Sequence, residues 1–169
     1  KGAFFTRGTS RDEYAVYTED SAAYEYNMQR LLKKWDTAKT YVPDAEVIGQ
    51  GSKVGVIYFG TSRDATLEAV AALRDSGITV DSLRLRAFPF DASVDKFIAE
   101  HDTLFLVEQN RDAQMRTLLV NELLISPRSL IPILNYGGMP ITARQIEKEI
   151  RQQPDENKVQ PLRAAKENG

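Results

Sequence analysis

Two guanidiniums, a hydroxyl and two carboxylates fall within seven residues at Arg7, Thr9, Arg11, Asp12 and Glu13. A guanidinium meets a carboxylate through two parallel hydrogen bonds, so this segment could greet a substrate that carries carboxylates. The same groups could instead close an internal ion-pair network around an irregular loop, and the spacing alone leans slightly that way. A second cluster, Glu108-Gln109-Asn110-Arg111, sets a carboxylate, two amides and a guanidinium side by side. It could orient a polar ligand, satisfy its own loop, or pair across a subunit boundary, and structural use is the stronger expectation. In Gly60-Thr61-Ser62-Arg63 two hydroxyls and a cation precede a helical pattern. Backbone N–H groups at a helix start attract anions, but Ser and Thr are also ordinary helix caps. The turn Asn135-Tyr136-Gly137-Gly138-Met139-Pro140 needs no ligand to explain its glycines. His101 is the one histidine and there is no cysteine. A Ser-His-Asp triad or a His-rich metal site therefore has almost no material here. At the end of a short helical pattern, His101 is expected to be an exposed C-terminal cation.

These groups need elements to place them. Residues 1–20 have no period and read as an ordered loop. A helix follows, capped by Ser21, with Tyr24, Met28, Leu31, Leu32 and Trp35 on one stripe. Residues 36–52 read as a connector. From Lys53 the pattern changes. Val54 to Phe59 is a continuous apolar run, as in a strand buried on both faces. A helix then stops at Ser76-Gly77. A second strand lies within 78–90, and Asp91 caps a short helix carrying Val94, Phe97 and Ile98. A third strand lies within 103–110, followed by a helix marked by Met115, Leu118, Leu119 and Leu123. A fourth lies within 129–136, where Pro132 argues for an edge. Thr142 and Gln145 form a capping box, with Ile141 and Ile146 as its staple. Strands alternating with helices predict an α/β fold: an open, mostly parallel sheet with helices on both faces. The expected division is 1–52 (loop, helix and connector from an upstream domain), 53–153 (the α/β domain) and 154–169 (a polar, flexible tail).

The bulk numbers exclude several classes. With 169 residues, 42% hydrophobic and 27% charged, the chain is expected to be a globular domain plus a tail. A net charge of −2 gives no field that would draw it to nucleic acid or anionic lipid. No apolar run reaches the ~20 residues of a membrane helix. The lack of cysteine rules out disulfides, zinc thiolates and iron–sulfur ligation by this segment, and fits a reducing, cytoplasmic setting. The start at Lys1-Gly2 reads as a cut from a longer polypeptide.

Several of these stretches together resemble one family. Phe4 to Tyr14 (FFTRGTSRDEY) with Leu31 to Ala38 (LLKKWDTA), Val54 to Ala69 (VGVIYFGTSRDATLEA), Leu104 to Met115 (LFLVEQNRDAQM) and Tyr136 to Ile146 (YGGMPITARQI) resemble, in order and spacing, the alpha subunit of 2-oxoglutarate:ferredoxin oxidoreductases. The resemblance covers roughly residues 1–150. It implies a domain like the C-terminal domain of transketolase. It also implies a whole enzyme that decarboxylates a 2-oxoacid on thiamine diphosphate with Mg2+, makes an acyl-CoA, and passes electrons through an iron–sulfur cluster to ferredoxin, a reaction linked to the TCA cycle. None of these cofactors would be bound by this segment alone. The implied partners are a beta subunit, a second alpha subunit, ferredoxin, the 2-oxoacid and coenzyme A.

Residue by residue, Arg7, Thr9, Asp12 and Glu13 match the family's first motif and are carried over as active-site-edge or interface residues. The chain departs from it at Ser10 and Arg11, where relatives have Gly and His, so no catalytic role passes to position 11. Arg11 stays a candidate through its charge alone. Glu108, Asn110 and Gln114 match the later motif and are expected to be structural or interfacial, as are Thr61 and Ser62. No residue of the segment is expected to be catalytic or to bind cofactor or metal. Two other readings remain: the equivalent domain of another thiamine enzyme (transketolase or E1 beta type), or a non-catalytic flavodoxin-like interaction module.

Overall fold

The computed structural model describes residues 10–152. The expected tail at 154–169, and Arg7 and Thr9, lie outside that span. The chain divides into two compact units, Lys1–Pro43 and Asp44–Gly169. That boundary is earlier than the one read from the sequence at 52/53.

In the first unit, Arg11 and Tyr17 form an antiparallel bridge that closes a tight loop. Helix α1, Ser21–Ala38, follows. Its cap is Asp20 rather than Ser21: the Asp20 carboxylate accepts the N–H groups of Ala22 and Ala23 at 3.4 and 3.1 Å. An aspartate one residue earlier both reaches the first free donors and favours the positive end of the helix dipole.

In the second unit, strands β1 (Glu46–Ile48), β2 (Val54–Phe59), β3 (Asp81–Leu85), β4 (Thr103–Glu108) and β5 (Ile131–Leu134) form one sheet in the order β1-β3-β2-β4-β5. β2 pairs in parallel with β3 and β4, and β4 with β5, while β1 runs antiparallel to β3. The α/β expectation is borne out, and Pro132 does sit on an edge strand, where its missing N–H costs no ladder bond. The connector expected at 36–52 was read too simply, because it contains β1. Three residues give no period to detect, and only the pairing Val47↔Leu83 makes them a strand.

Helices α2 (Arg63–Asp75) and α5 (Ala143–Arg151) share one core with Val56, Tyr58, Phe105 and Val107. Helices α3 (Ala92–Glu100) and α4 (Gln114–Leu123) share the other with Ile57, Leu104 and Leu106. Neighbouring residues of β2 and β4 thus enter opposite cores, which explains why these strands are apolar throughout. α2 ends at Gly77, whose φ is +86°; Gly77 N–H bonds Arg74 O and Ile78 N–H bonds Leu73 O. At α5 only half the capping box forms. Thr142 Oγ1 accepts the Gln145 N–H, but the Gln145 side chain donates to Leu134 O instead of reaching back.

Asp91 caps α3 as expected, and its second oxygen also accepts the Ala45 N–H at 2.8 Å, holding the approach to β1. Burial pushes the Asp91 carboxyl upward, but the hydrogen bonds from Ser93 and Ala45 outweigh it and leave its pKa below the ordinary 3.8. A depressed carboxyl contributes stability in full above its unfolded pKa and loses it as pH falls through the folded one. Asp91→Ala is therefore expected to cost about 1 kcal/mol between pH 5 and 7. The gap to the parent should narrow below about pH 4, because the parent loses what the variant never had. Urea unfolding across pH 3 to 7 measures this; a gap that widens toward acid would contradict it.

His101 departs from expectation. Its side chain is only 4% exposed, with Nε2 3.4 Å from Asp81 Oδ2 and Nδ1 2.6 Å from Phe97 O. The room for it comes from Gly55, where a Cβ would stand 2.9 Å from the His101 ring. His101 is thus a buried tie between α3 and β3, not an exposed cap.

Candidate functional site at the carboxyl edge of the sheet

The strand order reverses at β2: β3 lies on one side of it and β4 on the other. Loops that leave β2 and β4 therefore diverge and open a crevice, the usual ligand position in sheets of this kind. A groove of about 540 Å3 lies there. Phe59, Met115 and Leu118 give it apolar surface, and Thr61, Ser62, Gln109, Asn110 and Gln114 give it hydroxyls and amides. The structure thus brings together four residues singled out in the sequence, Thr61, Ser62, Asn110 and Gln114.

Glu108 lies beside them but is fully buried. Its carboxylate accepts the Asn110 amide at 2.8 Å and the N–H groups of Met115 and Arg116 at 2.8 and 3.0 Å. Asn110 Oδ1 accepts the N–H groups of Asp112 and Gln114 at 3.1 and 3.2 Å. Two side chains thereby satisfy the first turn of α4, which a free helix start would leave open to an anion. Ala113, with φ +50°, turns the chain sharply enough to aim those N–H groups back at Glu108. Arg111 is occupied by Asp112, and that exposed pair raises the guanidinium and lowers the carboxyl.

Gln109 was not singled out as a site residue, yet it joins three loops. Its Nε2 donates to Thr61 Oγ1 at 2.8 Å and to Ser62 Oγ at 3.3 Å, and its Oε1 accepts the Ile141 N–H at 3.2 Å. An amide just past the carboxyl end of a central strand was the available signal, since one amide can donate and accept at once. Gln109→Ala is expected to cost about 1 kcal/mol and to speed exchange of the Ile141 amide about tenfold. Hydrogen exchange followed residue by residue tests this, and unchanged protection at Ile141 would contradict it.

Arg11, Asp12 and Glu13 belong to the first unit. Asp12 Oδ1 accepts the N–H groups of Tyr14 and Val16, both at 2.9 Å, and Arg11 donates to Ala15 O at 3.1 Å. Ala15, at φ +67°, completes the turn. The Asn27 amide, buried on α1, donates to Arg11 O. Glu13 accepts from the Tyr26 hydroxyl, and this hydrogen bond is the main cause raising the Tyr26 pKa. Asp12 is thus an internal organiser of its loop. No acidic or basic side chain is among the described residues that line the carboxyl-edge groove. Among the described residues no cluster of three or more His, Cys, Asp or Glu is placed to hold a metal, and no helix is long and apolar enough to cross a membrane.

No family model matches the chain. It is 29% identical over 150 residues to the 2-oxoacid:ferredoxin oxidoreductase 2 subunit alpha of Aeropyrum pernix, covering 85% of this chain and 23% of that protein. Its fold matches a 2-oxoglutarate:ferredoxin oxidoreductase from Magnetococcus marinus, solved with 2-oxoglutarate, coenzyme A and succinyl-CoA bound, at a TM-score of 0.78 and 22% identity. That match covers 89% of this chain and 26% of that one. It also matches a split gene transketolase, an inactive beta4 tetramer, at a TM-score of 0.52 and 16% identity, over 64% of this chain and 40% of the other. The chain spans about a quarter of the length of each of the two alpha subunits it matches. Two of the curated relatives it matches, those of Aeropyrum pernix and Saccharolobus solfataricus, are alpha subunits of 2-oxoacid:ferredoxin oxidoreductases, and its described residues carry a transketolase-like α/β fold.

Proposed function

We propose that this chain works as a segment of the alpha subunit of a thiamine diphosphate-dependent oxidoreductase. That enzyme converts a 2-oxoacid, most simply 2-oxoglutarate, with coenzyme A to an acyl-CoA and CO2, and reduces ferredoxin. Within it the segment supports assembly and the edge of the active site, and the partners are a beta subunit, a second alpha subunit and ferredoxin. The observation that carries the reading is the match to an alpha subunit along 85% of this chain. The supporting role follows from the carboxyl edge, where Glu108, Asn110 and Gln109 spend their hydrogen bonds on their own loops.

The donor set does not fit the family's cofactors. A Mg2+-bound diphosphate calls for carboxylate and carbonyl oxygens free to coordinate, and the groove offers no carboxylate. Iron–sulfur ligation calls for thiolates, and the chain has no cysteine. The cofactors therefore belong to other parts of the enzyme. Thr61, Ser62, Glu108, Asn110 and Gln114 hold the carboxyl edge in shape. Arg7, Thr9, Arg11, Asp12 and Glu13 are assigned to the substrate side or a subunit boundary. The preference for 2-oxoglutarate rests on the resemblance to that subclass and on the basic residues of the opening segment, which suit a second carboxylate. Calorimetric titration of the isolated chain with thiamine diphosphate and Mg2+ should show no binding, and the chain alone should not turn over 2-oxoglutarate. Saturable binding or turnover would overturn the supporting role.

A further inference from the structure

We propose that His101 and Asp81 form a proton-operated latch on the turn between β1 and β2, closed when the imidazole carries a second proton and loosened when it gives that proton up. Both side chains lie inside the second unit, 4% and 7% exposed. Each ring nitrogen faces an oxygen that can only accept. Nδ1 is 2.6 Å from Phe97 O, and Nε2 is 3.4 Å from Asp81 Oδ2. A neutral imidazole has one N–H and one lone pair, whereas the imidazolium has two N–H groups. The protonated ring therefore meets both oxygens with a proton, and the neutral ring meets one. In the neutral ring the shorter contact, to Phe97 O, keeps the N–H, and a lone pair is left against the Asp81 carboxylate. Nε2 is buried and makes no hydrogen bond of ordinary geometry, so its contact with Asp81 is an ionic one that depends on the second proton.

The surroundings leave Asp81 as the charge that decides the matter. Leu104 of β4 and Phe97 of α3 crowd the ring over Gly55 of β2. The Phe97 ring is centred 4.0 Å from the imidazole, and an aromatic ring so close favours a cation. Lys53 directs its ammonium to Glu100 O at 3.5 Å, Glu100 pairs with Lys96 at 3.8 Å, and Asp102 is exposed. A buried charge is costly unless it is paired, and the Asp81 carboxylate is the partner in place. That carboxylate also seats the turn. Oδ1 accepts the Gln50 N–H, while Oδ2, the oxygen facing the ring, accepts the N–H groups of Gly51 and Ser52 at 3.0 and 3.1 Å. Loss of the ring proton therefore acts first on the bonds to Gly51 and Ser52, and the latch is present in acid and lost as pH rises. Every contact involved lies within one unit, so the latch stands or falls independently of the enzymatic reading.

Hydrogen exchange followed by NMR on the full 169-residue chain tests this, with each rate divided by its intrinsic rate at the same pH. Histidine side chains change charge between about pH 5 and 8. Across that range Gly51 and Ser52 should lose about tenfold in protection, more than Gln50. The loss should follow the change in the two ring 15N shifts of His101. The Asn135 N–H, bonded to Glu108 O at the carboxyl edge, should keep its protection. His101→Gln carries an amide that does not change charge, and it should give Gly51 and Ser52 the same protection throughout. Should that variant fail to fold, the ring shifts and amide protection of the parent decide alone. A ring that keeps one charge across the range, protection at Gly51 and Ser52 that stays level while the ring titrates, or a pH dependence retained in His101→Gln would each overturn the proposal.

Discussion

Glu108→Ala is expected to lower stability by about 3 to 5 kcal/mol and the Tm by roughly 10 °C. The side chain is fully buried, and every partner it has is a donor: the N–H groups of Met115 and Arg116 and the Asn110 amide. Alanine removes all the acceptors at once and leaves two part-buried N–H groups at the start of α4 without that partner. Hydrogen bonds to an ionised group contribute about 1.5 to 3 kcal/mol each, and a buried unpaired donor costs the same order. Glu108→Gln should lose about half as much, because one oxygen remains while the amide N–H2 confronts a donor. Urea unfolding measures the difference. A loss below about 1 kcal/mol for the alanine variant would mean that α4 finds another cap.

Asp81→Ala should have an effect of the same size at the opposite end of the sheet, about 3 to 5 kcal/mol. Asp81 is 5% exposed, and its carboxylate accepts the N–H groups of Gln50, Gly51 and Ser52 at 2.8, 3.0 and 3.1 Å. These bonds seat the turn between β1 and β2. Gly49 is required beside it, since a Cβ there would stand 2.6 Å from the carboxylate. With His101 Nε2 3.4 Å away, the substitution also strips that ring of its polar neighbour. Asp81→Asn, with one oxygen for three donors, should fall between the two. Hydrogen exchange at residues 50–52 gives a local readout, and unchanged protection there in Asp81→Ala would contradict the assignment.

Much of the fold was legible because its signals are local and repeated. The apolar run of β2, the Gly77 stop and the Asp91 cap are each set by neighbours within a few residues and formed as read, and Thr142 caps α5 although only half of its capping box forms. What was not legible depended on residues far apart in the chain. β1 exists only because Leu83 and its neighbours are there to pair with. His101 is buried because Gly55, forty-six positions earlier, leaves space for it. A sequence shows that Asp81 is an acid and His101 a base, but not that both turn inward.

The candidate site divides along the same line. Thr61, Ser62 and Asn110 were found from their place after predicted strands and Gln114 from the family resemblance, and the four do meet around one groove. Gln109 was named only as part of the Glu108-Gln109-Asn110-Arg111 cluster and not as a site residue of its own. Its importance lies in three partners at positions 61, 62 and 141 that only the folded sheet brings within reach. The stripe on α1 was read correctly as apolar, yet periodicity cannot say how far such a face is buried, and its side chains are between 38% and 60% exposed.

The measurement that bears most directly on the central claim is the activity of the alpha polypeptide that carries this segment, assembled with its beta partner and loaded with clusters. It would be assayed with 2-oxoglutarate, coenzyme A and a dye acceptor, with and without thiamine diphosphate. The account predicts dye reduction that requires both thiamine diphosphate and coenzyme A, with 2-oxoglutarate preferred over pyruvate. An assembled, cluster-loaded complex that turns over no 2-oxoacid would contradict it.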